Sequence, residues 1–145
     1  MGILVDTNVL LRRTQPDHEH HRIAVMSIAR LLAEEEPLYF TFQNISEFLY
    51  VATRPIANNG LGFPPAVAMA GIEKIEWYLE FLPYSHAVYE EWKRLVVAHH
   101  VLGSKVHDAK LVAMMKVHRV RRILTLNVGD FVRYEIEAIH PASLV

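Results

Sequence analysis

A chain of 145 residues with 52% hydrophobic composition is long enough for one domain with a buried core, so we expect residues 1–145 to form a single domain. Fifteen basic and sixteen acidic residues leave a net charge of −1, which neither favours nor excludes a nucleic-acid partner. The absence of cysteine excludes disulfides, thiolate zinc sites and cysteine nucleophiles, and is compatible with a reducing cytoplasm. No stretch approaches the roughly 20 apolar residues of a membrane span, and the N terminus does not resemble a signal peptide, so we expect a soluble, cytoplasmic protein.

The first half of the chain alternates predicted strands and helices. The predicted elements are, in order, a strand at 3–5, a helix at 20–36, a strand at 38–42, a helix at 44–53, a loop at 54–65 and a helix from 65 to about 78. Asp6-Thr7-Asn8 follows the first strand with side chains that favour turns and helix caps, so a passage from strand to helix is expected there.

The second half continues the same pattern and completes the fold prediction. Its predicted elements are a short strand at 81–82, a helix at 87–100, a helix at 106–117, a strand at 122–125 and a strand at 136–139. This alternation predicts an α/β protein, a three-layer α/β/α sandwich with a central, mainly parallel sheet of about four to five strands. We expect four large aromatic side chains in its core: Trp77, Tyr78, Trp92 and Phe131.

Four acidic residues lie at predicted strand ends or helix starts: Asp6, Glu47, Asp108 and Asp130. Each has a structural interpretation, because Asp6 can cap a helix, Asp108 suits a first helical turn, and Asn44 followed by Glu47 is close to a capping box. The segment 127–130 has the same capping form. Ligands in open α/β sheets bind outside the carboxyl ends of the strands, and hard cations need oxygen ligands. The four carboxylates together therefore predict one divalent-metal site.

At these residues the sequence resembles the PIN domains, and in particular the VapC (virulence-associated protein C) toxin nucleases of bacterial toxin–antitoxin pairs. The motifs that carry the resemblance are, in order, VDTN at 5–8, ISE at 45–47, VHDA at 106–109 and TLNVGDF at 125–131. The resemblance covers nearly the whole chain. One residue departs from the pattern, because Asn127 stands where many relatives have an aspartate. Either Asp130 supplies the fourth acid, or Asn127 contacts the metal through water while Asp130 orients the loop.

The resemblance implies a metal-dependent endoribonuclease that hydrolyses RNA phosphodiester bonds with Mg²⁺ or Mn²⁺. It implies that Asp6 and Asp108 are direct ligands, that Glu47 is a ligand or general base, and that Asp130 or, through water, Asn127 completes the set. Three further residues are expected to orient the site or contact substrate: Thr7, Asn8 and Thr125.

Basic residues close to the acidic motifs are candidates for contact with the RNA backbone, namely Arg12, Lys105 and Lys110. The resemblance also implies a cognate antitoxin protein and a toxin homodimer, possibly within a toxin–antitoxin hetero-oligomer. By the same analogy, the segment from Val25 to Tyr50, interpreted as largely helical, is the candidate antitoxin groove.

Three other functions fit the sequence less well. A phosphohydrolase of the haloacid dehalogenase type needs Asp-x-Asp after its first strand, whereas this chain has Asp6-Thr7-Asn8. A nucleotide-binding module needs a glycine-rich phosphate loop, and neither usual form occurs. The remaining alternative is a catalytically inactive PIN-fold RNA-binding or interaction protein, for which the neutral Asn127 is the sequence hint.

Overall fold

The computed structural model describes residues 1–145 and is built around a parallel sheet of five strands. The strands are β1 (Ile3–Val5), β2 (Leu38–Thr41), β3 (Glu80–Leu82), β4 (Arg122–Leu124) and β5 (Glu137–Ile139). They are arranged in the order β3-β2-β1-β4-β5, and every neighbouring pair is parallel. The predicted parallel sheet is confirmed.

Six α-helices connect and cover these strands. They are α1 (Thr7–Arg12), α2 (His21–Ala33), α3 (Phe42–Thr53), α4 (Pro65–Tyr78), α5 (His86–Ala98) and α6 (Val106–Val117). The predicted helices are all present, with differences at their ends, and α1 is the helix that follows the first strand. None of the six has the length and apolar character needed to cross a bilayer.

The description of residues 25–50 as one long helical segment is wrong, because the strand predicted at 38–42 interrupts it. Helix α2 ends at Ala33, and the chain then turns through Glu35, whose φ of 58° is left-handed. Pro37 follows, and proline lacks the N–H that a helix would use. Strand β2 therefore separates α2 from α3, and the candidate antitoxin segment is a helix, a strand and a second helix.

Two hydrophobic clusters fill the space on either side of the sheet. Successive side chains of a strand point to opposite faces. Ile3 and Val5 accordingly pack with residues of α1 to α4, whereas Leu4 packs with residues of α5 and α6. All three side chains are fully buried. The chain thus forms the predicted three-layer α/β/α sandwich.

The aromatic residues expected in the core divide into two groups. Phe131 is 1% exposed, as predicted, and Trp92 is partly buried with its indole N–H donating to the carbonyl of Val106 at 2.8 Å. The prediction is wrong for Trp77, which is 82% exposed, and for Tyr78, which is 47% exposed.

The position of Trp77 on α4 explains its exposure. The helix places Ile72 and Ile75 against the core. Trp77, two residues after Ile75, lies about 200° further round the helix axis at the usual pitch. Burial on this helix therefore depends on the face that a residue occupies and not on the size of its apolar side chain.

Candidate active site

The carboxyl ends of β1 and β4 meet at the point where the order of the strands reverses. These two strands are neighbours in the sheet although more than a hundred residues separate them in the sequence. Asp6 follows β1 and Thr125 follows β4. The Thr125 hydroxyl donates to Asp6 Oδ2 at 2.8 Å, and the backbone N–H of Asp6 donates to the carbonyl of Leu124 at 2.9 Å. The site thus lies at the switch point of the sheet, where open α/β folds bind ligands.

Asp6 is a buried carboxylate that also caps α1. Its Oδ1 accepts from the backbone N–H of Thr7 at 2.8 Å, and the residue is only 8% exposed. Burial raises the pKa of Asp6 to about 6, opposed by the hydrogen bonds from Thr125 and Thr7. The negative charges of Glu47 and Asp108 raise this pKa further. A cation beside Asp6 would offset both burial and repulsion.

Helix α3 holds Glu47 beside the first strand. The Thr7 hydroxyl donates to Glu47 Oε1 at 2.8 Å and accepts from Asn44 Nδ2 at 3.1 Å. Thr41 caps the helix, and its hydroxyl accepts from the N–H of Asn44 at 3.2 Å, which completes a capping box. The prediction that Asn44 caps with Glu47 as its partner is therefore wrong, because α3 begins at Phe42. Glu47 lies in the second turn, where its carboxylate is available to the site.

Asn8 and Thr125 tie the first and fourth strands together behind Asp6. Asn8 Nδ2 lies 3.4 Å from both Asp6 Oδ2 and Thr125 Oγ1, and Asn8 Oδ1 accepts from the N–H of Leu126 at 3.1 Å. Thr125 Oγ1 also accepts from the N–H of Asn127 at 3.0 Å. The structure thus gives Asn8 and Thr125 orienting contacts.

A second pair of carboxylates faces this group from α6 and from a short 3-10 turn at Val128–Phe131. Asp108 lies in the first turn of α6, and its pKa is raised by partial burial and by the charges of Asp130 and Glu47. Lys105 counters that effect, with its Nζ 2.7 Å from Asp130 Oδ1 and 3.9 Å from Asp108 Oδ2. The ammonium group of Lys105 thus bridges two acids.

The structure distinguishes Asp130 from Asn127. Asn127 is exposed and its side chain makes no capping hydrogen bond, so the capping interpretation of 127–130 is wrong. Only its backbone contributes, since its N–H donates to Thr125 and its carbonyl accepts from the N–H of Asp130 at 3.0 Å. Asp130, by contrast, acts on Asp108, because its negative charge, with that of Glu47, raises the pKa of Asp108.

The candidate basic residues are not equally close to the acids. Lys105 contacts Asp130, and Lys110 shares a pocket with Glu47. Arg12 lies at the other end of α1 from Asp6, where it donates to Gln15 Oε1 at 2.6 Å. The structure does not bring Arg12 to the carboxylates.

The supporting role of Gln43 was missed in the sequence. Its Nε2 donates to the carbonyl of His107 at 3.0 Å and lies 3.5 Å from Glu47 Oε2, so it links α3 to the start of α6. Its spacing from Glu47 could have indicated this role, because residues four apart share one face of a helix.

The donor chemistry of the site fits a hard divalent cation. Four carboxylates supply oxygen ligands of the kind that Mg²⁺ and Mn²⁺ prefer, and their charges repel one another without a cation. As the side chains stand, no three acidic or histidine residues are grouped closely enough to hold one ion together. Ligation by three of them would need side-chain rotation.

The hydroxyl of Thr125 is expected to stabilise the fold. Thr125→Val keeps the shape of this fully buried residue but leaves the N–H of Asn127 and one oxygen of Asp6 without that partner. We expect the free energy of unfolding to fall by about 1–3 kcal/mol. Urea denaturation measures it, with Thr53→Val, at the partly buried C-terminal end of α3 and remote from the acids, as the control. An unchanged midpoint would contradict this role.

The fold and site define a class of protein: a parallel α/β sandwich with acidic residues gathered at the switch point of its sheet. The sequence matches the PIN domain family over residues 3–136. The chain belongs to the PIN-domain family. No curated protein sequence matches it.

Several solved structures share this fold. A VapBC2 complex from Rickettsia felis, bound to a promoter DNA fragment, is 12% identical with a TM-score of 0.72 and covers 96% of this chain and 98% of its own. DNA-bound VapBC from Salmonella typhimurium is 19% identical with a TM-score of 0.68, covering 96% and 97%. Mycobacterium tuberculosis VapC20, described as a toxin that cleaves the sarcin-ricin loop, is 20% identical with a TM-score of 0.60, covering 84% and 87%. At these identities the likeness establishes the fold.

Proposed function

We propose that this protein is a metal-dependent endoribonuclease, the toxin of a VapBC-type toxin–antitoxin pair, and that it hydrolyses RNA phosphodiester bonds in the cytoplasm. The observation that carries the proposal is the convergence of four carboxylates from separate parts of the chain on one edge of the sheet: Asp6, Glu47, Asp108 and Asp130. A site that binds cations would explain why four carboxylates that repel one another lie together.

The four carboxylates would hold Mg²⁺ or Mn²⁺. When bound, such an ion supplies a water of lowered pKa and neutralises charge on the phosphate. Thr125 fixes one oxygen of Asp6 by donating to it, and Thr7 fixes Oε1 of Glu47 in the same way. Glu47 Oε2 has only a long contact to Gln43, at 3.5 Å, so it is free to accept a proton from an attacking water.

Basic side chains at the rim would hold the RNA backbone. Lys110 lies beside Glu47, and Lys105 lies beside Asp130 and Asp108. Ammonium groups in these places would meet phosphate oxygens and reduce the repulsion between RNA and the acids.

An antitoxin partner is part of the proposal. The Rickettsia and Salmonella structures of the same fold are of VapBC bound to DNA, which supports a partner protein for this chain. We propose that the partner lies along the region of α2, β2 and α3 between Val25 and Tyr50, and that the toxin is a homodimer.

An inactive PIN-fold binding protein is the second candidate. The sequence hint for it was Asn127, whose side chain is exposed and makes no contact with the acids. Because Asp130 occupies the place beside Asp108, the neutral Asn127 gives less reason to expect a decayed site.

Cleavage of RNA is the direct test. The purified protein is incubated with transfer RNA, ribosomal RNA fragments and single-stranded RNA, with Mg²⁺, with Mn²⁺, or with chelator. We expect cleavage that needs metal and that is lost in Asp108→Asn. Asp17→Asn is the matched control, because Asp17 is the one aspartate of the four in the chain that lies outside the site, on an exposed loop.

Two results would contradict the proposal. If no RNA is cleaved while the folded protein still binds metal, the inactive binding protein becomes the better explanation. If cleavage persists in Asp108→Asn or in chelator, the activity belongs to another site or to a contaminant.

A further inference from the structure

Three exposed aromatic side chains line one pocket beside the acids. Phe42 is 70% exposed, Tyr50 is 65% exposed and Tyr84 is 58% exposed, and all three border a cavity of about 660 Å³. Cavities of roughly 300–1,000 Å³ are typical of ligand sites. Large aromatic groups gathered around a concavity and left in water indicate a surface that binds something.

The pocket is continuous with the acidic site. Glu47 lines the pocket and accepts a hydrogen bond from Thr7, the residue next to Asp6. Lys110, on α6, lines the same pocket and provides a positive charge there. A ligand in the pocket that carried a phosphate could therefore place that phosphate towards the carboxylates.

The pocket also contains a tyrosine ring that is supported on one face and a glutamine amide whose oxygen accepts no hydrogen bond. The guanidinium of Arg54 lies 5.1 Å from the ring centroid of Tyr50, so one face of the ring is supported. Gln43, which lines the pocket, has a side-chain oxygen that is buried and accepts no hydrogen bond. A small rotation of this amide would present an acceptor to an N–H group in the pocket.

We propose that this pocket binds an unpaired nucleobase next to the scissile phosphate, stacked on the aromatic rings and hydrogen-bonded by Gln43. The inference rests on the proposed ribonuclease function and adds to it the residues that would hold one base of the RNA. Aromatic rings bind bases of single strands by stacking, whereas bases of a duplex are already stacked on one another. The adjoining Lys110, together with the cation proposed for the carboxylates, favours a nucleotide over an apolar protein segment.

Cleavage kinetics on two substrates test the pocket. One is a single-stranded RNA that the wild-type protein cleaves, and the other lacks one base next to the cleaved bond. We expect Tyr50→Ala to lower kcat/KM about tenfold on intact RNA and to have little effect on the abasic RNA, because a stacked base contributes about 1–3 kcal/mol. Tyr50→Phe, which keeps the ring, is expected to retain activity. Trp77→Ala removes a ring that is still more exposed and lies outside the pocket, and is the control.

Binding provides a readout that does not depend on cleavage. The same variants are made in an Asp108→Asn background, and a short single-stranded RNA containing the fluorescent base 2-aminopurine is titrated in chelator. Stacking in the pocket is expected to quench the fluorescence of this base. Tyr50→Ala is expected to weaken RNA binding about tenfold and to abolish the quenching. A blunt duplex of the same sequence, in which the base is already stacked, is expected to bind without a further fall in fluorescence.

The outcomes separate this inference from the proposed function. If the wild-type protein cleaves RNA but Tyr50→Ala changes kcat/KM equally on both substrates, the pocket inference fails and the proposed nuclease function stands. If no RNA is cleaved yet the base is quenched through Tyr50, the pocket stands and the nuclease fails. Unchanged RNA binding with loss of a dimer in Tyr50→Ala, measured by sedimentation, would assign the surface to a second copy and overturn the inference. Unchanged RNA binding with loss of antitoxin binding would assign it to that protein, with the same consequence.

Discussion

Asp6→Asn is expected to abolish RNA cleavage and, at the same time, to stabilise the metal-free protein. The first effect follows from loss of a metal ligand, since a bound metal contributes several kcal/mol to the transition state, so we expect a fall in rate of about a thousandfold or more. The second follows from burial, because a charged Asp6 is held at 8% exposure near two other acids. Asparagine keeps the shape and removes the charge.

The sign of the stability effect depends on pH. The pKa of Asp6 is about 6 in the folded protein and 3.8 for an exposed aspartate, so the folded state binds the proton more tightly. Below pH 3.8 the group is protonated in both states and no penalty arises. As pH rises from 3.8 through 6, the wild-type protein loses stability, by about 3 kcal/mol once the group is fully charged. Asp6→Asn removes this loss.

Chemical denaturation of metal-free protein at pH 5, 6, 7 and 8 measures the effect. The difference between Asp6→Asn and wild type is expected to grow across this range and to level off above pH 7. Asp17→Asn is the control, since Asp17 lies on an exposed loop and should show no such trend. A variant that is less stable than wild type at pH 8 would show that the hydrogen bonds of the carboxylate outweigh its burial.

Divalent metal is expected to stabilise the wild-type protein strongly at pH 8 and weakly at pH 5. A ligand at one hundred times its dissociation constant adds about 2.7 kcal/mol, which for a domain of this size raises Tm by about 10 °C. At pH 5 the raised pKa values of Asp6 and Asp108 make protons compete with the metal for the same oxygens. Binding should therefore release protons near pH 6.

Thermal melts with Mn²⁺, with Mg²⁺ and with chelator measure this stabilisation, and calorimetry in two buffers measures the protons released. The double variant Asp6→Asn with Asp108→Asn should lose the shift, whereas Glu73→Gln, on an exposed position of α4, should retain it. An equal shift in the double variant would mean that the metal binds elsewhere.

Lys105 explains how the metal-free site tolerates two of its acids. Its ammonium group lies between Asp130 and Asp108 and partly offsets their repulsion. The neutralisation is incomplete, since the pKa of Asp108 is still raised, and Asp6 has no cation among its hydrogen-bond partners. The burial of Asp6 is the reason that the largest pH effect is expected there.

The sequence predicted the layers of the fold well, because each depends on local pattern. The run Ile3 to Val5 is apolar throughout, as a strand buried on both faces must be, and the 3.6-residue spacing of apolar groups located five of the six helices. The ends of the helices were predicted less accurately than their existence. The start of α3 was predicted at Asn44 because Asn44 followed by Glu47 resembles a capping box. The structure instead caps the helix with Thr41, where β2 ends.

The sequence by itself determined that Asp6, Asp108 and Asp130 lie at junctions of strands and helices, since those junctions follow from the local pattern. The structure places Glu47 one turn inside α3. Only the tertiary structure decided how the acids relate to one another. The pairing of β1 with β4 brings Thr125 to Asp6, and the turn after β4 places Asp130 beside Lys105 and leaves Asn127 in solvent. Distances between residues far apart in the chain depend on how the strands are ordered, and no local pattern of residues contains that order.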